Sequence, residues 1–254
     1  MAAVKARADG RRADQLRPVR ITRRFLRYPE GSCLIELGET KVICAASLET
    51  GVPKWLEGGD RGWVTAEYAM LPRATHTRSP RESRTGRADG RALEIQRLVG
   101  RCLRGVTDLR ALGERRIVVD CDVIQADGGT RAAAITGGYV ALYDALVGTG
   151  VVDAEGRPPL REAVAGVSVG FVDGVPLVDL AYDEDSRADV DLTCAFTAGG
   201  LLVEVQGTGE GRAFAAAEVT TLLEAARPAA ALLCRMVKQM FDRDMPAIWT
   251  REGS

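Results

Sequence analysis

At 254 residues the chain is long enough for one large domain or two small ones, and its 46% hydrophobic and 27% charged content is that of a soluble globular protein. A net charge of −1 points to no particular partner. No apolar run reaches bilayer length and the N-terminus lacks the apolar core of a signal peptide, so a membrane span is excluded and the cytoplasm is the expected compartment.

The near-zero total hides an uneven distribution. Nine Lys or Arg lie between Lys5 and Arg27 against two acids, and six arginines between Arg73 and Arg91 against two acids. Such tracts suit a polyanion. Six cysteines, none in CxxC spacing, read as reduced and buried thiols. The single histidine, His76, rules out a His-rich metal site and makes a Ser-His or Cys-His nucleophile system a poor fit.

In chain order, residues 1–20 form a basic segment, either a flexible tail or one that orders on a partner. Ser32–Leu37 and Lys41–Leu48 read as a hairpin joined at Gly38, Glu39 and Thr40. A Gly- and Pro-rich loop follows, then a strand over Trp63–Met70. Residues 71–90 are charged and without apolar period, an exposed basic loop of a length that is usually functional or disordered. Arg91 opens a helix to Val106, with Leu93, Leu98, Cys102 and Val106 along one side and Ile95, Val99 and Leu103 widening it.

Ile117–Ala133 reads as a strand covered on both faces, a sharp turn at Gly128 and Gly129, and a helix capped by Thr130 that runs to about Gly148. Gly137 and Gly138 inside that helix predict close packing on a sheet. A helix N-terminus favours an anion, and the Arg131 fork fits a phosphate. Gly129, Thr130 and Arg131 are therefore candidate phosphate ligands, although the same residues also read as a glycine turn before a helix with a surface arginine.

The second half begins with strands over Ala163–Val172 and Val175–Leu180 around an Asp-Gly turn, then Val190–Phe196 and Leu201–Val205. Two helices close the chain, about Ala213–Ala226 and another after Pro228. The order β-rich, α, β-rich, α predicts an α/β fold, an α+β two-layer sandwich, with the chain as one domain over residues 1–254. Asp185 and Asp191 stand near the start of a strand and can hold Mg²⁺, or they belong to a solvated acidic loop where Asp183, Glu184 and Asp189 compete. Arg91 is a second candidate anion ligand or a surface charge at a helix start. Walker-type and dinucleotide-type glycine motifs are missing, which disfavours a P-loop ATPase.

Six stretches together carry a resemblance: LGETKVICAASLE, GWVTAEYAMLPRATHTR, GRALEIQRLVGRCLRGV, DCDVIQADGGTRAAAITG, DEDSRADVD and VEVQGTGEG. In this order the chain resembles the ribonuclease PH family of phosphate-dependent tRNA exonucleases, from about Asp9 to Phe241. The resemblance implies the ribonuclease PH fold, similar to the second domain of ribosomal protein S5, in a homo-hexameric ring built as a trimer of dimers. It implies 3′ trimming of tRNA precursors, and of other structured RNA such as rRNA precursors, with inorganic phosphate as co-substrate. The products are nucleoside diphosphates, and the reverse reaction is a nucleotidyl transfer. The family's phosphate site falls on Arg91, Gly129, Thr130 and Arg131, and its essential acids on Asp185 and Asp191.

The resemblance thus makes Asp185, Asp191 and Arg131 catalytic, with Mg²⁺ or Mn²⁺ on the two acids or with one of the acids as general acid instead. Arg187 replaces a residue that is more often small, and stands where it can pair with either acid. Arg73, Arg78, Arg81, Arg84 and Arg87 become candidate RNA contacts. Two rivals are a non-catalytic RNA-binding ring subunit, which would lack the site residues, and a small-molecule kinase, which would carry a Gly- and Ser-rich ATP loop not found here.

Overall fold

The computed structural model describes residues 7–81 and 90–244. The elements are β1 (Val19–Arg23), β2 (Gly31–Leu37), β3 (Thr40–Thr50), β4 (Trp63–Met70), α1 (Gly90–Val106), α2 (Leu109–Leu112), β5 (Arg115–Gln125), α3 (Thr130–Gly148), β6 (Val164–Val172), β7 (Val175–Val178), α4 (Tyr182–Asp185), β8 (Val190–Thr197), β9 (Leu202–Thr208) and α5 (Ala216–Asp244). A single 3₁₀ turn covers Lys54–Leu56. The strands form a five-stranded sheet, β1-β2-β3-β5-β4, and a four-stranded sheet, β7-β6-β8-β9. Only β4 and β5 pair in parallel among these neighbours.

Each half is a sheet with helices on one face, the α/β arrangement that the element order predicts. The halves stack so that α3 lies between them, touching β2 and β3 on one side and β6 on the other. That explains its sequence: TRAAAITGGYVALYDALVG is apolar all round, with sixteen buried residues and no polar face. Glycines permit the close approach on both sides. A Cβ on Gly31 of β2 would lie 2.0 Å from the Ala141 oxygen, and one on Gly166 of β6 would lie 2.8 Å from Ala132 Cα. Gly137 meets Cys44 Sγ in the same way, as the helix pattern predicts. Gly31→Ala is expected to destabilise the protein by about 3 kcal/mol, because backbone cannot yield as a side chain can. Thermal unfolding checks this, with a fall in Tm of roughly 2–4 °C for each kcal/mol in a chain of this size.

Several expectations change. Strand β5 is fully covered on one face only, its other face burying Val118 and opening toward Asp122. Ile117, Val119, Cys121 and Val123 are buried, while Asp120 and Asp122 point to a partly open face. The alternation in VDCDV belongs to a mainly antiparallel sheet with one wet side. In α1, Ile95, Leu98, Val99, Cys102, Leu103 and Val106 face the core, whereas Leu93 is exposed. The two expected C-terminal helices are one helix, α5, with Pro228 inside it. Leu222, Ala226, Ala229, Ala230 and Leu233 pack around that position against the second sheet, and this burial outweighs the lost N–H donor. β1 was not foreseen.

The basic N-terminal segment is also different from residue 7 onward. Arg7 and Arg17 are buried and ion-paired, to Glu184 and Asp179 at 2.6 and 2.7 Å, so these charges meet acids of the chain itself. All six cysteines are buried and free, as expected. No helix among the described residues is long and apolar enough to cross a membrane.

Candidate active site

Because β4 and β5 run parallel, the loops that leave them emerge on one edge, together with the starts of α1 and α3. Crevices at the carboxyl ends of parallel strands are habitual ligand sites. Here the second half closes the crevice. Asp185 ends α4, Asp191 opens β8 and Glu210 follows β9. A cleft of about 620 Å³ results, lined by Arg91, Gly129, Thr130, Arg131, Asp185 and Asp191 among others. The six candidate residues come from three separate stretches of sequence and share this one space.

The turn at the mouth of α3 has a specific geometry. Gly128 and Gly129 have φ of 74° and 68°, a region that favours glycine. A Cβ on Gly128 would lie 2.5 Å from the Leu180 oxygen. The N-cap is Gly129, not the expected Thr130, which is the first helical residue. Thr130 is freed for another task. Its hydroxyl accepts a hydrogen bond from the buried Tyr68 hydroxyl at 2.9 Å, so its own proton is available to an acceptor in the cleft. Burial pushes the Tyr68 phenol up, which keeps it a donor.

Among the described residues five buried side-chain polar atoms lack a hydrogen-bond partner, and two of them, Arg131 Nε and Asp191 Oδ1, lie in this cleft. Buried polar atoms are rarely left so unless a ligand serves them. Burial raises the pKa of Asp185, against the opposing pull of Arg91 and Arg131. Burial also raises that of Asp191, and the neighbouring Asp185 adds to the rise. Two half-buried carboxylates, one with an unserved oxygen, form a donor set that fits a hard dication such as Mg²⁺ or Mn²⁺. No cluster of three or more His, Cys, Asp or Glu gathers among the described residues. Two carboxylates completed by water and substrate oxygens are how Mg²⁺ is usually bound.

Of the competing acids, one is engaged elsewhere. Glu184 is taken by Arg7 at 2.6 Å and by the Ala181 N–H at 3.0 Å. Arg187 does not pair with either candidate acid. Its Nε donates to the Asp183 oxygen and its Nη1 lies 3.7 Å from Asp173, because the short helix α4 turns the side chain outward. Of the arginines in the basic loop, Arg73, Arg78 and Arg81 are exposed, and Arg73 donates to the His76 oxygen at 2.8 Å. Arg84 and Arg87 lie outside the described residues. The sequence reading missed His76, Tyr182 and Glu210 as cleft residues. The rings of His76 and Tyr182 are 6.0 Å apart, and of the three only His76, in the ATHTR stretch, and Glu210, in VEVQGTGEG, fall inside the ordered motifs.

The 3′ exoribonuclease family matches the chain in two parts, its domain 1 over residues 15–147 and its domain 2 over residues 162–229. The chain is 54% identical over 241 residues to ribonuclease PH of Mycobacterium sp. strain KMS, covering 94% of this chain and 93% of that one. It is 54% identical over 243 residues to ribonuclease PH of Nocardia farcinica, covering 95% of each. Among solved structures, an Archaeoglobus fulgidus exosome with RNA bound to the active site superposes with a TM-score of 0.76 at 25% identity, over 93% of this chain and 92% of that one. Rice Rrp46 superposes with a TM-score of 0.77 at 20% identity, over 93% of this chain and all of that one, which shows the shared fold. The chain belongs to the ribonuclease PH family of 3′ exoribonucleases.

Proposed function

We propose that this protein shortens RNA from its 3′ end by phosphorolysis and that the cleft between its two halves is where this happens. The observation that carries the reading is the convergence of an anion cradle (Gly129–Arg131 with Arg91) and an acidic pair (Asp185, Asp191) in one cleft. Inorganic phosphate binds to the N–H groups at the mouth of α3, the Thr130 hydroxyl and the Arg131 fork, with Arg91 on its far side. An oxygen of this phosphate attacks the last phosphodiester. The bond to the 3′ oxygen of the preceding nucleotide breaks, the shortened RNA leaves through that oxygen, and a nucleoside diphosphate is released. No protein nucleophile is needed, so positioning and charge stabilisation supply the catalysis. Asp185 and Asp191 would hold Mg²⁺ or Mn²⁺, which would supply positive charge to offset that on the scissile phosphate and the leaving oxygen.

The substrates are tRNA precursors and other RNA 3′ ends, and the assembly is a homo-hexamer made as a trimer of dimers. Support comes from the ribonuclease PH relatives and from superposition on an exosome. Six buried free thiols fit a reducing compartment, the cytoplasm. The basic segment that includes Arg73, Arg78 and Arg81 carries the RNA contacts outside the cleft. Arg78→Ala with Arg81→Ala is expected to flatten the dependence of log K on log salt for tRNA by roughly 0.7–0.9 per lost phosphate contact. Filter binding across a salt series checks this, and an unchanged slope would remove the loop from the interface.

The reading as a whole is tested by incubating the protein with 3′-extended tRNA and Mg²⁺, with and without inorganic phosphate, and analysing the small products. Nucleoside diphosphates formed only with phosphate support it. Monophosphates without phosphate mean hydrolysis instead.

A further inference from the structure

The cradle for phosphate is a glycine turn, and such a turn by itself has many conformations. Something must hold its peptide planes. Behind it, on the side away from the cleft, lies Arg17, a buried residue that does not line the cleft. Its backbone N–H and Nε donate to Asp179 Oδ2 at 2.7 and 3.0 Å, and its Nη2 donates to Asp179 Oδ1 at 2.7 Å. The same guanidinium reaches the turn. Nη1 donates to the Asp127 oxygen, and Nη2 reaches the Gly128 oxygen at 3.3 Å. Thr40, from the hairpin of the first sheet, closes the set. Its hydroxyl donates to the Gly128 oxygen at 2.6 Å and accepts from the Asp127 N–H at 2.9 Å.

In a trans peptide the C=O and the following N–H point in opposite directions. Holding the Asp127 and Gly128 oxygens from behind therefore turns the N–H groups of Gly128 and Gly129 away from Arg17. Asp179 is itself held in an unusual backbone conformation, with φ of 56°, where Arg7 and Arg11 each donate to its carbonyl oxygen at 2.9 Å. Arg7 also closes on Glu184, the neighbour of Asp185. One N-terminal strap thus ties the glycine turn of the first half to the acid-bearing helix of the second. Buried ion pairs add little to stability on balance, so precise placement is the better account of such a costly network.

We propose that Arg17, Asp179 and Thr40 are positioning residues that aim the N–H groups of the glycine turn at the attacking phosphate. The inference rests on the reading of Gly129–Arg131 as the phosphate cradle. It makes the N-terminal segment part of the machinery for phosphate, although it touches neither substrate.

The test uses the full chain and four variants: Arg17→Lys, Thr40→Val, Thr40→Ser and, for the cradle, Arg131→Ala. Calorimetry gives the Kd of inorganic phosphate, steady-state kinetics its KM, filter binding the RNA affinity, and thermal unfolding the Tm. Arg17→Lys keeps the charge but loses the fork, and Thr40→Val keeps the shape but loses the hydroxyl. Both are expected to raise Kd and KM for phosphate by on the order of tenfold or more while RNA affinity stays unchanged. Thr40→Ser is expected to restore both constants, which a residue that merely filled space would not do. If Arg17→Lys does not fold, the Thr40 pair decides alone. Wild-type phosphate constants in Thr40→Val and Arg17→Lys, with only Tm lowered, would overturn the inference and leave the cradle standing. Unchanged phosphate affinity in Arg131→Ala would overturn the cradle reading and the inference together.

Discussion

Arg131→Ala is expected to lower kcat/KM for phosphate by roughly 10²–10³-fold while RNA affinity changes little, because it deletes a fixed donor at the position of the attacking anion. The structure explains why the effect should be so selective. Arg131 lies in the first turn of α3, its Nε is buried without a partner among the described residues, and it shares the cleft with Gly129 and Thr130. An unserved buried donor on a guanidinium is costly until an anion meets it, so binding energy is realised when phosphate arrives. Arg131→Lys should recover little, since a single ammonium cannot reproduce the planar fork. The measurement is a phosphate titration at saturating RNA, with RNA binding followed separately. An equal loss of phosphate and RNA affinity would argue that Arg131 serves the RNA backbone instead.

The second large effect falls on the acids and separates activity from stability. Asp191→Asn or Asp185→Asn is expected to reduce turnover by roughly 10²–10³-fold, by analogy with other sites that lose one fixed charge-stabilising group. The same variants should unfold at a higher temperature near neutral pH when a chelator is present. The reason is linkage. Both carboxyls have pKa values raised in the folded state, by burial first and, for Asp191, by Asp185 next. A raised folded pKa means that the folded protein holds the proton more tightly than the unfolded chain. Its contribution to stability is fully present below the ordinary carboxylate range and is lost as pH rises through the raised value. The wild type should therefore lose stability over that window, and each Asn variant, which keeps one of the two acids, should lose less. Their advantage should vanish in acid, where the native carboxyls are protonated. Added Mg²⁺ should raise the Tm of the wild type and not that of Asp191→Asn. No stabilisation in chelator, together with an identical Mg²⁺ response, would remove the acids from the metal site.

Much of this architecture was written along the chain. The Trp63–Met70 strand, the helix ending at Val106 and the hairpin around Asp173 and Gly174 follow from local periodicity and turn chemistry. The glycine turn before α3 was legible because its backbone angles favour glycine. The site residues were legible through six ordered motifs, and their spacing alone left each open to a bland reading.

Local signals misled where a distant partner decided the matter. Pro228 reads as a helix stop, yet the packing of α5 on the second sheet carries the helix through it. The arginines of the N-terminus read as a basic tail, yet Asp179 and Glu184, more than 160 residues away along the chain, neutralise Arg17 and Arg7. Arg187 reads as able to pair with one of the two acids, yet its guanidinium lies 3.7 Å from Asp173.

The sequence by itself determined most of the elements and the α/β class, because these rest on short-range periodicity and backbone preference, while the candidate cradle and acids were legible only through the ordered motifs. Only the tertiary structure decided that α3 lies between two sheets, that the cradle and the acids share one cleft, and that Arg17, Thr40 and Asp179 stand behind the glycine turn. Those are facts of packing between residues far apart in the chain, and such contacts leave no period in a single sequence.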